Sequence, residues 1–159
     1  MTLTRLTGLT CALLLACIPA ASAGSANGSA ALALAGVVAP YSPALATAEK
    51  KQVAALLAGE TSALYAKKIL VTADKIVCRT SNVDIAARSC ELTFGSVVKK
   101  FQGREANELY ATIAMAGVPS DGAAGSIFEG VSKLSCTLDP AQISDKGGAG
   151  ANCSYEAAK

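Results

Sequence analysis

A stretch of this chain occurs twice, and a repeat limits the possible architectures before any single residue does. Shifting the sequence by 58 positions lays Ala58, Gly59, Ser62, Ala66, Ile69, Lys75 and Cys78 on Ala116, Gly117, Ser120, Ala124, Ile127, Lys133 and Cys136 without a gap. Seven identities fall within 21 positions, and Leu57/Met115, Leu70/Phe128, Ala73/Val131 and Ile76/Leu134 add apolar matches. The two copies therefore agree on which positions are to be buried, and each is expected to be one supersecondary unit. The repeat dictates a layout and carries no chemistry of its own.

The first residues assign a compartment. Arg5 supplies a positive start, residues 9–18 form an apolar run too short to span a bilayer, and Ala21-Ser22-Ala23 is a small-residue cleavage site. Residues 1–23 thus read as a signal peptide, with the mature chain beginning near Gly24 and a periplasmic or secreted destination. Leu14-Leu15-Ala16-Cys17 offers a competing cut resembling a lipoprotein box, which would place a lipid on Cys17. Removing 23 of 159 residues leaves 136, enough for one domain with its own core.

The leader takes Cys11 and Cys17 with it, leaving Cys78, Cys90, Cys136 and Cys153. An even number in an exported chain implies disulfides, and four cysteines allow three connectivities. Cys78 and Cys136 hold the same repeat position, and each is followed by a second cysteine among strand-like residues, which selects Cys78–Cys90 and Cys136–Cys153. Zinc is the competing use of four cysteines, but spacings of 12 and 17 lack the short C-x₂₋₄-C hook and the chain has no histidine. No metal and no cofactor is implied.

Charge excludes two partner classes. One of the 14 basic residues lies in the leader, leaving 13 against 12 acidic residues, interspersed, so neither nucleic acid nor an anionic membrane is indicated. Lys50-Lys51, Lys67-Lys68 and Lys99-Lys100 read as solvated helix faces and strand edges. No apolar run after the leader is long enough to span a membrane.

Residues 24–46 are rich in Ala, Gly and Ser, carry no charge, and include Pro40 and Pro43. They read as a linker or loosely docked arm, with residues 32–38 apolar enough to add an edge strand. From Thr47 the pattern is helical, with Glu49 in the first turn, Val53, Leu56 and Leu57 at helical spacing, and Gly59 placed to end the helix. Ser62 then caps a second expected helix whose apolar residues Ile69, Leu70, Ala73 and Ile76 fall at offsets 0, 1, 4 and 7. In the second copy Gly117-Val118-Pro119 is the stop, Ser120 the cap, and Ile127, Phe128, Val131 and Leu134 repeat the offsets. A strand over residues 69–72 is the alternative, against which Glu129 and Gly130 of the second copy argue.

The period then falls to two. Cys90, Leu92 and Phe94 alternate with Ser89, Glu91 and Thr93; Leu134, Cys136 and Leu138 with Lys133, Ser135 and Thr137; Cys153 and Tyr155 with Asn152, Ser154 and Glu156. These are half-buried strands with all four cysteines on the apolar face. Phe94-Gly95-Ser96-Val97 reads as a two-residue hairpin turn leading into a strand over residues 97–101, and a helix is expected from Arg104 to about Ala116, with Leu109, Ile113 and Ala116 facing in. Residues 79–89 and 137–152 are left as loops, the second the more mobile because it holds Gly147-Gly148-Ala149-Gly150.

The expected fold is α+β: a single domain over residues 47–159 made of two tandem helix-helix-strand-strand pseudo-repeats, about 47–103 and 104–159. They form one antiparallel sheet with helices packed on one face and one disulfide per repeat.

Catalytic motifs are weak. Ser96-Val97-Val98-Lys99 matches S-x-x-K, but Ser96 falls in a hairpin turn and no S-D-N or K-T-G partner exists. A serine or cysteine triad of the usual form needs histidine. Gly122-Ala123-Ala124-Gly125-Ser126 lacks the lysine of a phosphate loop, and its small residues read as close packing. Glu105 and Glu108 could share a helix face as solvent-facing carboxylates. Asn27-Gly28-Ser29 and Asn152-Cys153-Ser154 match the glycosylation triplet by length alone.

Two tandem units, each helix-loop-helix followed by strands with an internal disulfide, resemble the layout of the secreted β-lactamase inhibitory protein family. The resemblance is one of topology over most of the mature chain. It implies a protein inhibitor that meets its target with the exposed sheet face and the loops between strands. The corresponding face here would carry Lys75, Arg79, Ser89, Glu91, Thr93, Lys133, Ser135, Thr137, Ser154 and Glu156, together with the loop over residues 145–152. It departs from tight interfaces in lacking Trp and being short of Tyr and Arg anchors. The functional expectation is an exported, non-catalytic module that binds an extracytoplasmic protein. The alternatives are a cell-envelope structural or assembly factor, with or without a lipid on Cys17, and an enzyme working through carboxylates alone.

Overall fold

The computed structural model describes residues 23–60, 67–79, 84–116, 127–146 and 149–157. Its strands are β1 (Ala23–Asn27), β2 (Ile69–Arg79), β3 (Ser89–Phe94), β4 (Val97–Gln102), β5 (Ile127–Leu138) and β6 (Ala151–Ala157). Its α-helices are α1 (Ser29–Val38), α2 (Thr47–Leu57), α3 (Gly103–Met115) and α4 (Pro140–Lys146). The strands form one sheet in the order β1-β6-β5-β2-β3-β4, every neighbouring pair antiparallel. No helix among the described residues is long and apolar enough to cross a membrane.

Alternation sorts the side chains. Cys90, Leu92 and Phe94 of β3 and Ala151, Cys153 and Tyr155 of β6 are buried, while Glu91, Asn152 and Ser154 are exposed. The inner face is covered by α1, which packs on β6, β2 and β5, and by α3, which packs on β3 and β4; α2 lies against α1 and α4. The disulfides join directly opposed residues, Cys78 to Cys90 and Cys136 to Cys153, each with Cα atoms 4.0 Å apart. Each bridge is sealed under a helix, with Cys90 Sγ 3.3 Å from the Ala106 carbonyl of α3 and Cys153 Sγ 3.4 Å from the Ala31 carbonyl of α1. Both bridges are those selected by the repeat, and two intramolecular disulfides suit an oxidising, extracytoplasmic compartment.

The second helix of each copy is not formed. Residues 69–79 and 127–138 are strands, and with that goes the helix-loop-helix opening on which the likeness to the β-lactamase inhibitory protein family rested. The physical reason is a phase slip. Along β2 the inward residues are Ile69, Val71 and Ala73, then Ile76 and Cys78, because Asp74 and Lys75 are both exposed in succession. Ile69, Ala73 and Ile76 thereby acquire offsets 0, 4 and 7, which mimic a helix face although the local period is two. On β5 the inward residues likewise step from Val131 to Leu134. The ladder passes from Ala73↔Leu134 to Lys75↔Ser132, leaving Asp74 and Lys133 opposite each other in the gap. Lys133 takes φ 51, in the left-handed region that a bulge tolerates and a regular strand does not. Ser62 and Ser120, expected as caps, lie outside the described residues.

Residues 24–46 are also not a tether. They supply most of β1, all of α1 and a 3-10 turn at Ala39–Tyr41, with Ala31, Leu34, Ala35 and Val38 fully buried. α1 has no polar face because it is flanked by the sheet, α2 and α3; a helix apolar on all sides is a buried helix. β1 lies outside β6 as β4 lies outside β3.

Other expectations hold in detail. Glu49 Oε2 accepts the Ala46 N–H at 2.8 Å at the start of α2, and Gly59 ends that helix at φ 74. Phe94 pairs with Val97 across a two-residue turn, and Leu109, Ile113 and Ala116 are buried beneath α3. Leu57 and Met115, matched between the copies as buried, are instead 46% and 78% exposed. Part of the loop over residues 137–152 is helical: Pro140 opens α4 and Ile143 is buried. Gly150 closes on the start of α4, where a Cβ would stand 2.7 Å from the Asp139 carbonyl. Gly147 and Gly148 lie outside the described residues.

Candidate functional site

Among the described residues the helices lie on one side and none covers the other face of the sheet, where antiparallel register sets the side chains in rows across neighbouring strands about 4.8 Å apart. One row runs Ser25, Ser154, Ser135, Thr72 over β1, β6, β5 and β2. A second runs Asn27, Asn152, Thr137, Leu70 over the same strands. A third crosses the whole sheet as Ala23, Glu156, Ser132, Lys75, Thr93, Val98. Beyond it, Val77, Glu91 and Lys100 form a row, then Arg79, Ser89 and Gln102.

All the candidate residues named from the sequence fall on this side. Lys75, Arg79, Glu91, Lys133, Thr137 and Ser154 are exposed, and Ser89, Thr93, Ser135 and Glu156 are half-buried among them. Two ion pairs are already made: Glu91 with Lys100 at 3.4 Å and Lys133 with Glu156 at 3.1 Å. Exposed pairs such as these contribute little stability but hold side chains in place. Lys75 and Arg79 make no ion pair among the described residues, so the β2–β3–β4 half of the face carries excess positive charge.

The apolar points of this face are not among the residues expected from sequence. Leu70 is 56% exposed and Val98 46%, both amid polar neighbours. Leu70 and Thr72 were hidden because their segment was read as a helix; strict alternation over residues 69–73 is the signal that finds them. Of the loop over residues 145–152, Asn152 and Ala151 belong to β6, and Asp145 belongs to α4.

Two clefts border the sheet. One, of about 460 Å³, lies between the 3-10 turn and α3; Tyr41 meets Phe101 edge-on at 4.8 Å, and Glu105, Glu108 and Thr112 form its rim. The two carboxylates paired in the sequence are thus brought to one place, with Glu108 bound to Arg104 at 2.9 Å. The other, of about 270 Å³, lies beside the phase slip of β2 and is lined by Ser42, Pro43, Thr72, Asp74, Phe94 and Gly95. Asp74 accepts the backbone N–H of Gly95 there. Among the described residues no group of three or more His, Cys, Asp or Glu side chains is placed to hold a metal ion. Ser96 of the S-x-x-K match sits in the hairpin turn, and residues 122–126 lie outside the described residues. Comparison with family models, with curated protein sequences and with solved structures gives no match.

Proposed function

We propose that this chain is an exported, non-catalytic interaction module that docks a folded extracytoplasmic protein on the open face of its sheet. The observation that carries the reading is the one-sidedness of the sheet: the described helices pack on one face, while the other presents rows of polar side chains with Leu70 and Val98 as apolar points. A sheet face of this kind, preformed and braced by two disulfides, can engage a partner without ordering itself first. Lys75 and Arg79, which make no ion pair among the described residues, favour an acidic patch on the partner. Export rests on the leader-like residues 1–23 and agrees with the oxidised cysteines.

The duplication belongs to the same reading. β2 and β5 carry the two copies, lie side by side antiparallel, step phase at equivalent positions, and are each bridged to the next strand. On this view the face was built twice, and its two halves then diverged.

Photo-crosslinking in the native host tests the proposal. A photoreactive residue at Thr137 or Val98 is expected to trap one and the same protein, and one at Leu57 or Met115 on the helical side none. Reversing charge at Lys75 or Arg79 should weaken the adduct. Equal trapping from both sides, or none from the face, overturns the docking reading; membrane recovery that depends on Cys17 would mark the lipidated envelope factor instead.

A further inference from the structure

The smaller cleft has a property that packing alone does not account for. Ser42 is 1% exposed and is one of the residues that line the cleft, and its buried hydroxyl has no hydrogen-bond partner among the described residues. A buried hydroxyl left unpaired destabilises a fold, and native proteins keep few of them. The cleft forms where β2 continues beyond its neighbour: the β2–β3 ladder stops at Lys75↔Thr93, and β3 turns away at Gly95. Residues 42–44, from the segment that follows the 3-10 turn, make the opposite wall.

We propose that this cleft binds a neutral saccharide, with Ser42, Thr72 and Asp74 taking its hydroxyls and Phe94 its apolar ring face. The chemistry of the lining selects this class. A carboxylate accepts hydrogen bonds from hydroxyl groups, and Asp74 has acceptor capacity left beyond the Gly95 amide. The Ser42 and Thr72 hydroxyls can each donate and accept, so they match a ligand whose own groups do both. Phe94, 8% exposed, gives the C–H face of a sugar ring an aromatic surface. No basic residue lines the cleft, and Asp74 repels an anion.

Size and surroundings point the same way. A volume of about 270 Å³ is just below the usual span of small-molecule sites and suits one ring. Further rings would run onto the open face, because Thr72 is also the end of the row through Ser135, Ser154 and Ser25. That row is uncharged over three strand spacings, about 14 Å. The inference goes beyond protein docking: the cleft is a separate site at the margin of the face, and its test uses neither the crosslinking positions nor the charged pairs.

The test is titration of the oxidised, full mature chain with maltotetraose, cellotetraose and chitotetraose, followed by saturation-transfer NMR and calorimetry. At least one is expected to bind saturably. Ser42→Ala and Thr72→Val should each weaken it by about tenfold or more, the loss of one well-made hydrogen bond in a buried site. Ser42→Ala should at the same time raise the Tm, since the unpaired hydroxyl is removed, so lost binding cannot be put down to unfolding. Failure of all three sugars up to their solubility limits overturns the proposal. So does binding unchanged in Ser42→Ala, or displacement of the sugar by ethylammonium, which would mean that Asp74 acts as a counter-ion.

Discussion

The half of the sheet made by β1, β6 and β5 and the half made by β2, β3 and β4 share a frame and differ in surface. Each has a disulfide across its hairpin, buried under a helix, and an outer strand that closes the edge. On the open face the first half presents hydroxyls and amides, with Lys133 and Glu156 cancelling each other; the second presents Lys75, Arg79 and Lys100 against two carboxylates, Asp74 and Glu91. Their edges differ as well. β4 places Lys99 and Lys100 on the boundary, a known defence against strand addition, whereas β1 is five residues long and uncharged. Inner positions are tied to packing under a helix and to a covalent bridge, so they hold the same pattern in both halves; outer positions answer only to solvent and partners, so they are free to separate.

The largest effect that would break the comparison lies in the helical cover. Leu34 of α1 and Ile113 of α3 are both fully buried, so Leu34→Ala and Ile113→Ala should each cost about 2–5 kcal/mol in urea unfolding. A negligible loss for Leu34→Ala would return residues 24–46 to the status of a tether and leave the two halves unequally covered.

Next come the bridges. Replacing both cysteines of one pair by alanine should cost about 3 kcal/mol for either, slightly more for Cys136/Cys153, since its loop of 17 exceeds the 12 of Cys78/Cys90. A large inequality between the two double variants would show that one hairpin bears the fold and the other decorates it.

The smallest effect sharpens the comparison by pH. Burial pushes the Tyr155 phenol of β6 above its ordinary value near 10. The folded state therefore holds the proton more tightly than the unfolded chain, and its contribution is complete below about pH 10 and lost as pH rises through the folded pKa. Phe94 and Phe101 on the other half cannot ionise. Thermal melts between pH 8 and 11 should show an alkaline loss that Tyr155→Phe reduces; an identical loss in that variant would place its cause elsewhere.

The halves also differ in how readily the sequence disclosed them. β3 and β6 alternate without interruption, and Gly95-Ser96 is a turn that local chemistry alone specifies and that places β4 beside β3, so those strands, the cysteine pairing and the polar residues they carry outward were legible. β2 and β5 were misread because one slipped residue converts a period of two into apparent helical offsets, and no local property of Asp74 or Lys133 announces the slip. α1 was missed because amphipathicity is the usual sign of a helix and a helix enclosed on all sides has none; its run of Ala and Leu was the remaining clue. In the candidate site, Leu70 and Thr72 went unseen with β2. Ser42 could not be found at all from sequence, since its burial is created by strands more than 25 positions away.

The pairing of β1 with β6 has a consequence for the order of events. Ala26 lies opposite Cys153, 127 positions later in the chain. A polypeptide that emerges from its N-terminal end delivers β1 and α1 first, and the strand that receives them last. Until then α1 lacks β6, one of the strands it covers, while β3 and β4 can already pair through a two-residue turn. Closing so long a loop is entropically costly and slow compared with forming a hairpin. The Cys136–Cys153 half of the molecule is thus the last to be assembled, and a chain in transit stays open at that edge until its final strand has arrived.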